Sequence, residues 1–245
     1  MAVLDVLPFP NPFLRHEASR VETFDSKLKE FAHDMCKTMH EYDGVGLAAT
    51  QVGVDAQLLI LSSYVFMSPE DRKIASTTGD MGEDIIVINP EVIEQSEKEE
   101  VDLEGCLSFP DVFIKVSRPV WVKIKAYTVD GDEFVLEGTG FGSRAILHEM
   151  DHLNGKVMTD HLNYLSRKKA LAKHQRIQKI RANQNTQDEL KSQDTSLNET
   201  DVDSNSESKK VRIAVKNTSS TSSSKSQKNK SKKTSKSNQR KKKKR

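Results

Sequence analysis

The stretch Leu147-His148-Glu149-Met150-Asp151-His152-Leu153 constrains this chain more than any other. It lies between the apolar pair Ala145-Ile146 and an Asn154-Gly155 pair suited to ending a helix. In a helix, residues four apart share a face, so His148 and His152 can aim their imidazoles at one point. Two imidazoles so placed suit a transition metal. Glu149, one step round, reaches the same space without being a ligand. A carboxylate there can take a proton from a water that the ion has acidified, so the motif predicts a hydrolase. The competing reading is a partly buried histidine pair satisfied by neighbouring carbonyls or carboxylates. A tightly held metal needs a third protein ligand, and hydrolysis needs a pocket and an oxyanion site.

Two other stretches offer these parts. Glu104-Gly105-Cys106-Leu107-Ser108 contains one of only two cysteines, the other being Cys36. A lone cysteine beside glycine is commonly just small and buried. Set beside the helical pair, however, its thiolate would complete a three-ligand site with an open fourth position. Gly44-Val45-Gly46-Leu47-Ala48-Ala49-Thr50-Gln51 is built of small residues, so backbone approaches something closely there. It could wall a substrate cleft, with the Gln51 amide as a donor. A phosphate cradle is disfavoured, because neither a dinucleotide fingerprint nor Gly-Lys-Ser/Thr follows.

Around these stretches the periodicities predict an α+β fold. Residues 1–20, with prolines at 8, 10 and 12, read as an irregular segment over the body. Phe24, Leu28, Phe31, Met35 and Met39 recur every three or four positions, predicting an amphipathic N-terminal helix up to Tyr42. Strands are expected over Gln57 to Leu61, Asp84 to Ile88, Val112 to Val116, Val120 to Thr128 and Phe134 to Leu136, with a hairpin turn at Asp130-Gly131. The polar stretch Ser62 to Glu83 reads as a surface excursion. Ser143 is a candidate cap for the histidine helix, and a basic helix is expected from 166 to 182, with Leu171, Ile177 and Ile180 as its apolar stripe. Strands in a block between helices indicate a mostly antiparallel sheet packed around a central metal-binding helix.

Charge divides the chain. Residues 1–165 hold 14 Lys and Arg against 29 Asp and Glu, whereas 166–245 hold 24 against 7, so the overall +2 conceals two opposite parts. From 183 to 245 the chain is rich in Ser, Lys, Asn and Gln and too poor in apolar residues to offset ordering entropy, so a disordered basic tail is expected. Two cysteines fit a reducing compartment. The residues after Met1 lack a basic segment followed by an apolar run, and no stretch approaches 18 apolar residues, so a cytoplasmic protein off the membrane is expected.

Taken in order, Gly44 to Gln51, Glu104 to Ser108 and His148 to His152 resemble the three signature motifs of the peptide deformylases, and the resemblance extends from about Leu7 to Leu165. It implies that Cys106, His148 and His152 bind a divalent metal, typically ferrous iron, with zinc, nickel or cobalt able to substitute. It implies further that Glu149 moves the proton while the side-chain amide of Gln51 and the backbone N–H of Leu107 receive the oxyanion. The expected reaction removes the formyl group from the N-terminal formyl-methionine of new polypeptides, releasing formate. Counting back along the helix from His148, Phe141 and Ala145, with Val45, are candidate walls of a methionine slot. Gly46 is expected to pair with substrate backbone as an added strand. Glu104 is expected to be structural, held by Arg118 or, second, Arg144. The chain departs from the family pattern at Leu147, where Gln is usual, and at Thr50, where Pro is common.

Two rival readings carry their own discriminants. An ordinary His-Glu-x-x-His zinc peptidase would take a downstream ligand, and His161 is the nearest. A ribosome-associated, nucleic-acid-binding protein with a vestigial body would rest on the tail, which ends Lys241 to Arg245 and should bind polyanions such as ribosomal RNA with steep salt dependence.

Overall fold

The computed structural model describes residues 2–198. Its first helix, α1 (Ser26–Glu41), begins where the Asp25 side chain accepts a hydrogen bond from the Leu28 N–H. The stripe turns Met35 and Met39 wholly inward, each burial contributing roughly 1.5–3 kcal/mol. His33 and His40 lie on the wet side.

Five strands form one antiparallel sheet: β1 (Gly46–Ala48), β2 (Leu58–Ser62), β3 (Asp84–Gln95), β6 (Trp121–Tyr127) and β7 (Glu133–Thr139), in the order β1-β2-β3-β6-β7. β4 (Glu99–Glu104) and β5 (Ile114–Pro119) make a separate antiparallel pair. β6 follows the expected alternation, with Val122, Ile124 and Ala126 buried and their neighbours half-exposed. The expected α+β class and antiparallel pairing hold, and the histidine helix α3 (Phe141–Leu153) packs its apolar face into the sheet's core through Ala145, Ile146 and Leu153.

Several elements differ from expectation. β3 does not stop at Asn89-Pro90 but continues to Gln95 through a register shift between Ile88 and Glu91. The bulge accommodates a proline that lacks a ladder donor. Asn89 takes the left-handed conformation there, at φ 51°, and its amide exchanges two hydrogen bonds with the backbone of Val21. The excursion after Ser62 contains a 3₁₀ turn (Ser63–Phe66) and a helix, α2 (Pro69–Thr78). The signals for α2 are present: Ser68 caps it, Pro69 opens it, Glu70 and Asp71 fill its first turn and Gly79 closes it. β4 also escaped the sequence reading: its short alternation rests on Val101 and Leu103 alone within an acidic run, and both stay exposed.

Ser143 is not a cap. Gly140 holds the cap position of α3 with φ 52°, and the Ser143 hydroxyl instead donates to the Pro119 carbonyl at 2.8 Å, tying α3 to the end of β5. Asn154 and Gly155 end α3 as expected, Gly155 at φ 64°. The C-terminal helix α4 runs over Tyr164–Asn198 rather than 166 to 182, because neither Gly nor Pro interrupts the following residues. Its buried side is Ala170 and His174 with Leu171 and Ile177 partly covered, whereas Ile180 is exposed. Residues 199–245 of the expected tail lie outside the described residues. No described helix is long and apolar enough to cross a membrane.

Candidate metal centre

Helix α3 brings His148 and His152 together by its four-residue spacing, with ring centroids 5.0 Å apart. The loop after β4 delivers Cys106 to the same point. Its Sγ lies 3.2 Å from His152 Nε2, and one donor atom from each of Cys106, His148 and His152 falls within 4.8 Å of the others. Donors bound at about 2.0–2.3 Å to one tetrahedral ion stand roughly 3.5 Å apart, so this set fits a shared metal. His161 is not part of it; its Nε2 bonds Asp151 Oδ2 at 2.6 Å.

One buried cluster aims the candidate donors. Glu104 is 4% exposed and receives Arg118 at 2.8 and 3.1 Å, Arg144 at 2.8 Å and, through Oε2, His148 Nδ1 at 2.9 Å. Both candidate arginines therefore hold it, not one. The contact to His148, which sequence reading missed, occupies Nδ1 and leaves Nε2 as the nitrogen of that ring available to a metal. Burial would raise the Glu104 carboxyl, but the hydrogen bonds and charges of His148 and Arg118 outweigh it and hold the group well below the usual carboxylate range. Arg118 also donates to Asp151 at 2.6 Å, and Arg144 to the carbonyls of Val116 and Glu100 at 2.8 Å each. The strand pair β4–β5 is thereby clamped to α3, which is what carries Cys106 to the histidines.

The same neighbours set the site's proton chemistry. Burial pushes the Cys106 thiol up, but the charges and hydrogen bonds of His152 and His148 bring it down to about 5. Burial opposes charge on His148 as well, yet its contacts with Cys106 and Glu104 raise it well above an ordinary imidazole. Glu149, 5% exposed, is pushed up to about 7, chiefly by burial, and its Oε2 has no hydrogen-bond partner among the described residues. That is the proton affinity expected of a group that takes and returns a proton near neutrality.

Glu149 opens on a cavity of about 890 Å³ that Cys106, His148, Val45, Gly46, Phe141 and Ala145 also line. His152 lies behind them, fully buried. Gln51 and Leu107 line the cavity too. The Ala48 N–H donates to Gln51 Oε1 at 2.8 Å and so turns the amide nitrogen toward Ser108 Oγ at 3.3 Å and Cys106 Sγ at 3.6 Å. The Leu107 N–H has no partner among the described residues. Gly46 faces Glu149 so closely that a Cβ there would stand 2.9 Å from its Cγ and nearer still to Oε1. All ten residues singled out from the sequence thus converge on one cavity or its immediate wall.

A family model described as polypeptide deformylase matches residues 3–168. The chain belongs to the peptide deformylase family. A peptide deformylase of Brucella suis is 34% identical over 182 residues, covering 74% of this chain and 97% of that protein. Peptide deformylase 1 of Bacillus subtilis is 40% identical over 163 residues, covering 66% and 92%. The crystal structure of a peptide deformylase from Legionella pneumophila superposes with a TM-score of 0.65 at 35% identity, covering 74% of this chain and 98% of that one. As a peptide deformylase the chain is a metal-dependent hydrolase that removes the N-formyl group from nascent peptides. The vestigial-body reading is thereby set aside. A thiolate, two imidazoles and a partnerless buried carboxylate beside them are the donor chemistry such a hydrolase needs.

Proposed function

We propose that Glu149 moves the proton and that Gln51 and Leu107 receive the oxyanion, while Cys106, His148 and His152 hold a ferrous ion for which zinc, nickel or cobalt can substitute. A thiolate with two imidazoles admits iron or zinc on softness grounds, and the resemblance to the deformylases favours iron. When bound, the ion supplies Lewis acidity to the formyl oxygen and to the attacking water.

The chain's own residues do the rest. The substrate's methionine side chain enters between Val45, Phe141 and Ala145, an apolar slot suited to an unbranched thioether. Among the described residues β1 pairs only with β2 and is the edge of its sheet, so Gly46 has main-chain groups free to take the peptide as a further strand. As water adds to the formyl carbon, Glu149 accepts its proton. The carbonyl oxygen gains negative charge and is met by the Gln51 amide and the Leu107 N–H. Glu149 then delivers the proton to the departing amine nitrogen, and the C–N bond breaks to give formate and a free N-terminal methionine.

The observation that carries this reading is the buried, partnerless Glu149 carboxylate beside three converging metal donors. It is tested by formate release from a formyl-Met peptide, using anaerobically purified protein and Glu149→Ala. The variant should keep its metal and lose about 10²–10⁴-fold in kcat, and equal rates would remove Glu149 from the mechanism. We further propose a cytoplasmic location, supported by two free cysteines, and a role for the basic tail in holding the enzyme near ribosomal RNA. A chain truncated after residue 182 should co-sediment with ribosomes less than the full chain at low salt; equal sedimentation would dismiss the tail's role.

A further inference from the structure

The geometry points to a specificity device outside the three motifs, in the helix α2. Phe141, the first residue of α3, lines the cavity and remains 36% exposed. Its ring is held from α2 and the turn before it. The Arg72 guanidinium carbon lies 5.3 Å from the ring centroid, and the Tyr64 ring meets it edge-on at 6.5 Å with an interplanar angle of 88°. Both holders are themselves anchored. Arg72 donates to the Met67 carbonyl at 2.8 Å, and the Tyr64 hydroxyl lies 3.3 Å from Ser76 Oγ of α2. Arg72 makes no ion pair among the described residues, so the aromatic face is its electrostatic partner. Next to Phe141, Gly142 packs so tightly on Phe66 that a Cβ would stand 2.9 Å from Cδ1 of that ring. The start of α3 therefore cannot move away from the 3₁₀ turn without opening a gap.

We propose that Arg72 is a positioning residue for the methionine slot: by capping Phe141 it fixes the slot's width and so the enzyme's preference for the first side chain. The proposal rests on the reading of Phe141 as a wall of that slot. A ring free to swing would widen the slot, weakening contact with an unbranched side chain and admitting a bulkier one. Arg72 touches neither the metal ligands nor Glu149, so its loss should act on binding and leave the chemical step alone.

The test compares formyl-Met and formyl-Phe peptides with the metal-loaded full chain and its Arg72→Ala, Arg72→Lys, Arg72→Met and Phe141→Ala variants. Arg72→Ala should raise KM for the formyl-Met peptide about threefold to tenfold with kcat within about twofold, and shrink the Met-over-Phe ratio of kcat/KM by a similar factor. Arg72→Lys, which keeps a cation over the ring, should restore most of the preference. Arg72→Met keeps the stem without the charge and should fall between them; it also carries the test should Arg72→Ala fold poorly. An unchanged Met-over-Phe ratio in Arg72→Ala and Arg72→Met, or a fall in kcat alone, overturns the proposal. If Phe141→Ala is silent too, the reading of Phe141 as a wall falls with it. If Phe141→Ala alters the ratio and the Arg72 variants do not, the proposal falls alone.

Discussion

Replacing Glu104 by Gln tests whether the buried cluster, rather than the ligands alone, makes the metal centre. The side chain of Gln is isosteric but neutral, so two guanidiniums lose their shared counter-charge and His148 Nδ1 loses its carboxylate. Glu104, Arg118 and Arg144 are 4%, 4% and 6% exposed, so solvent cannot screen the loss. Breaking a buried ion pair from one side costs about 3–5 kcal/mol. For a domain of this size that corresponds to a fall in Tm of roughly 6–20 °C. Removing the group that orients a metal-bound histidine typically lowers metal affinity about 10–100-fold. Chemical denaturation of the metal-free protein reads the first quantity, and titration against a competing chelator reads the second. The pair Glu104→Gln/Arg144→Met should be less destabilised than the sum of its single changes, because removing both partners leaves less unpaired charge. Glu104→Gln within about 1 kcal/mol of the parent, with unaltered metal affinity, would refute the argument. The carboxyl is held low in the folded state, so its contribution is present above the ordinary carboxylate range and lost as pH falls through the folded value.

Three further outcomes are expected. Gly46→Ala forces the Glu149 carboxylate aside, since its Cγ stands 2.9 Å from the new Cβ, and should cut kcat at least about tenfold with the metal retained; a fully active variant would show that Glu149 has another place to stand. In chelated protein, iodoacetamide at pH 6.5 should modify Cys106, brought down to about 5, and spare Cys36, pushed up to about 12 by burial and then Asp84, as peptide mapping would reveal; preferential labelling of Cys36 contradicts this. Cys106→Ala should abolish tight metal binding while His161→Ala keeps it, and the reverse pattern in metal analysis would restore the zinc-peptidase reading.

What the sequence by itself determined is local. The His148–His152 pair, the stripe of α1, the alternation of β6 and the stop at Asn154-Gly155 each follow from a periodicity or a turn preference written within a few residues. The three motifs gave the family because each short run has a chemistry of its own. α2 lay near the limit: its caps are legible at Ser68, Pro69 and Gly79, but only Ala75 is buried, so no apolar stripe announces a helix. Tertiary structure decided how residues distant in the chain meet. Cys106 meets His152 across 46 residues of chain, and Glu104 gathers Arg118 from β5 and both Arg144 and His148 from α3. A charged side chain's partners depend on which elements pack together, and packing is a property of the whole core. For the same reason Arg72 reads as an ordinary surface residue of α2 until folding sets it over Phe141, 69 residues away.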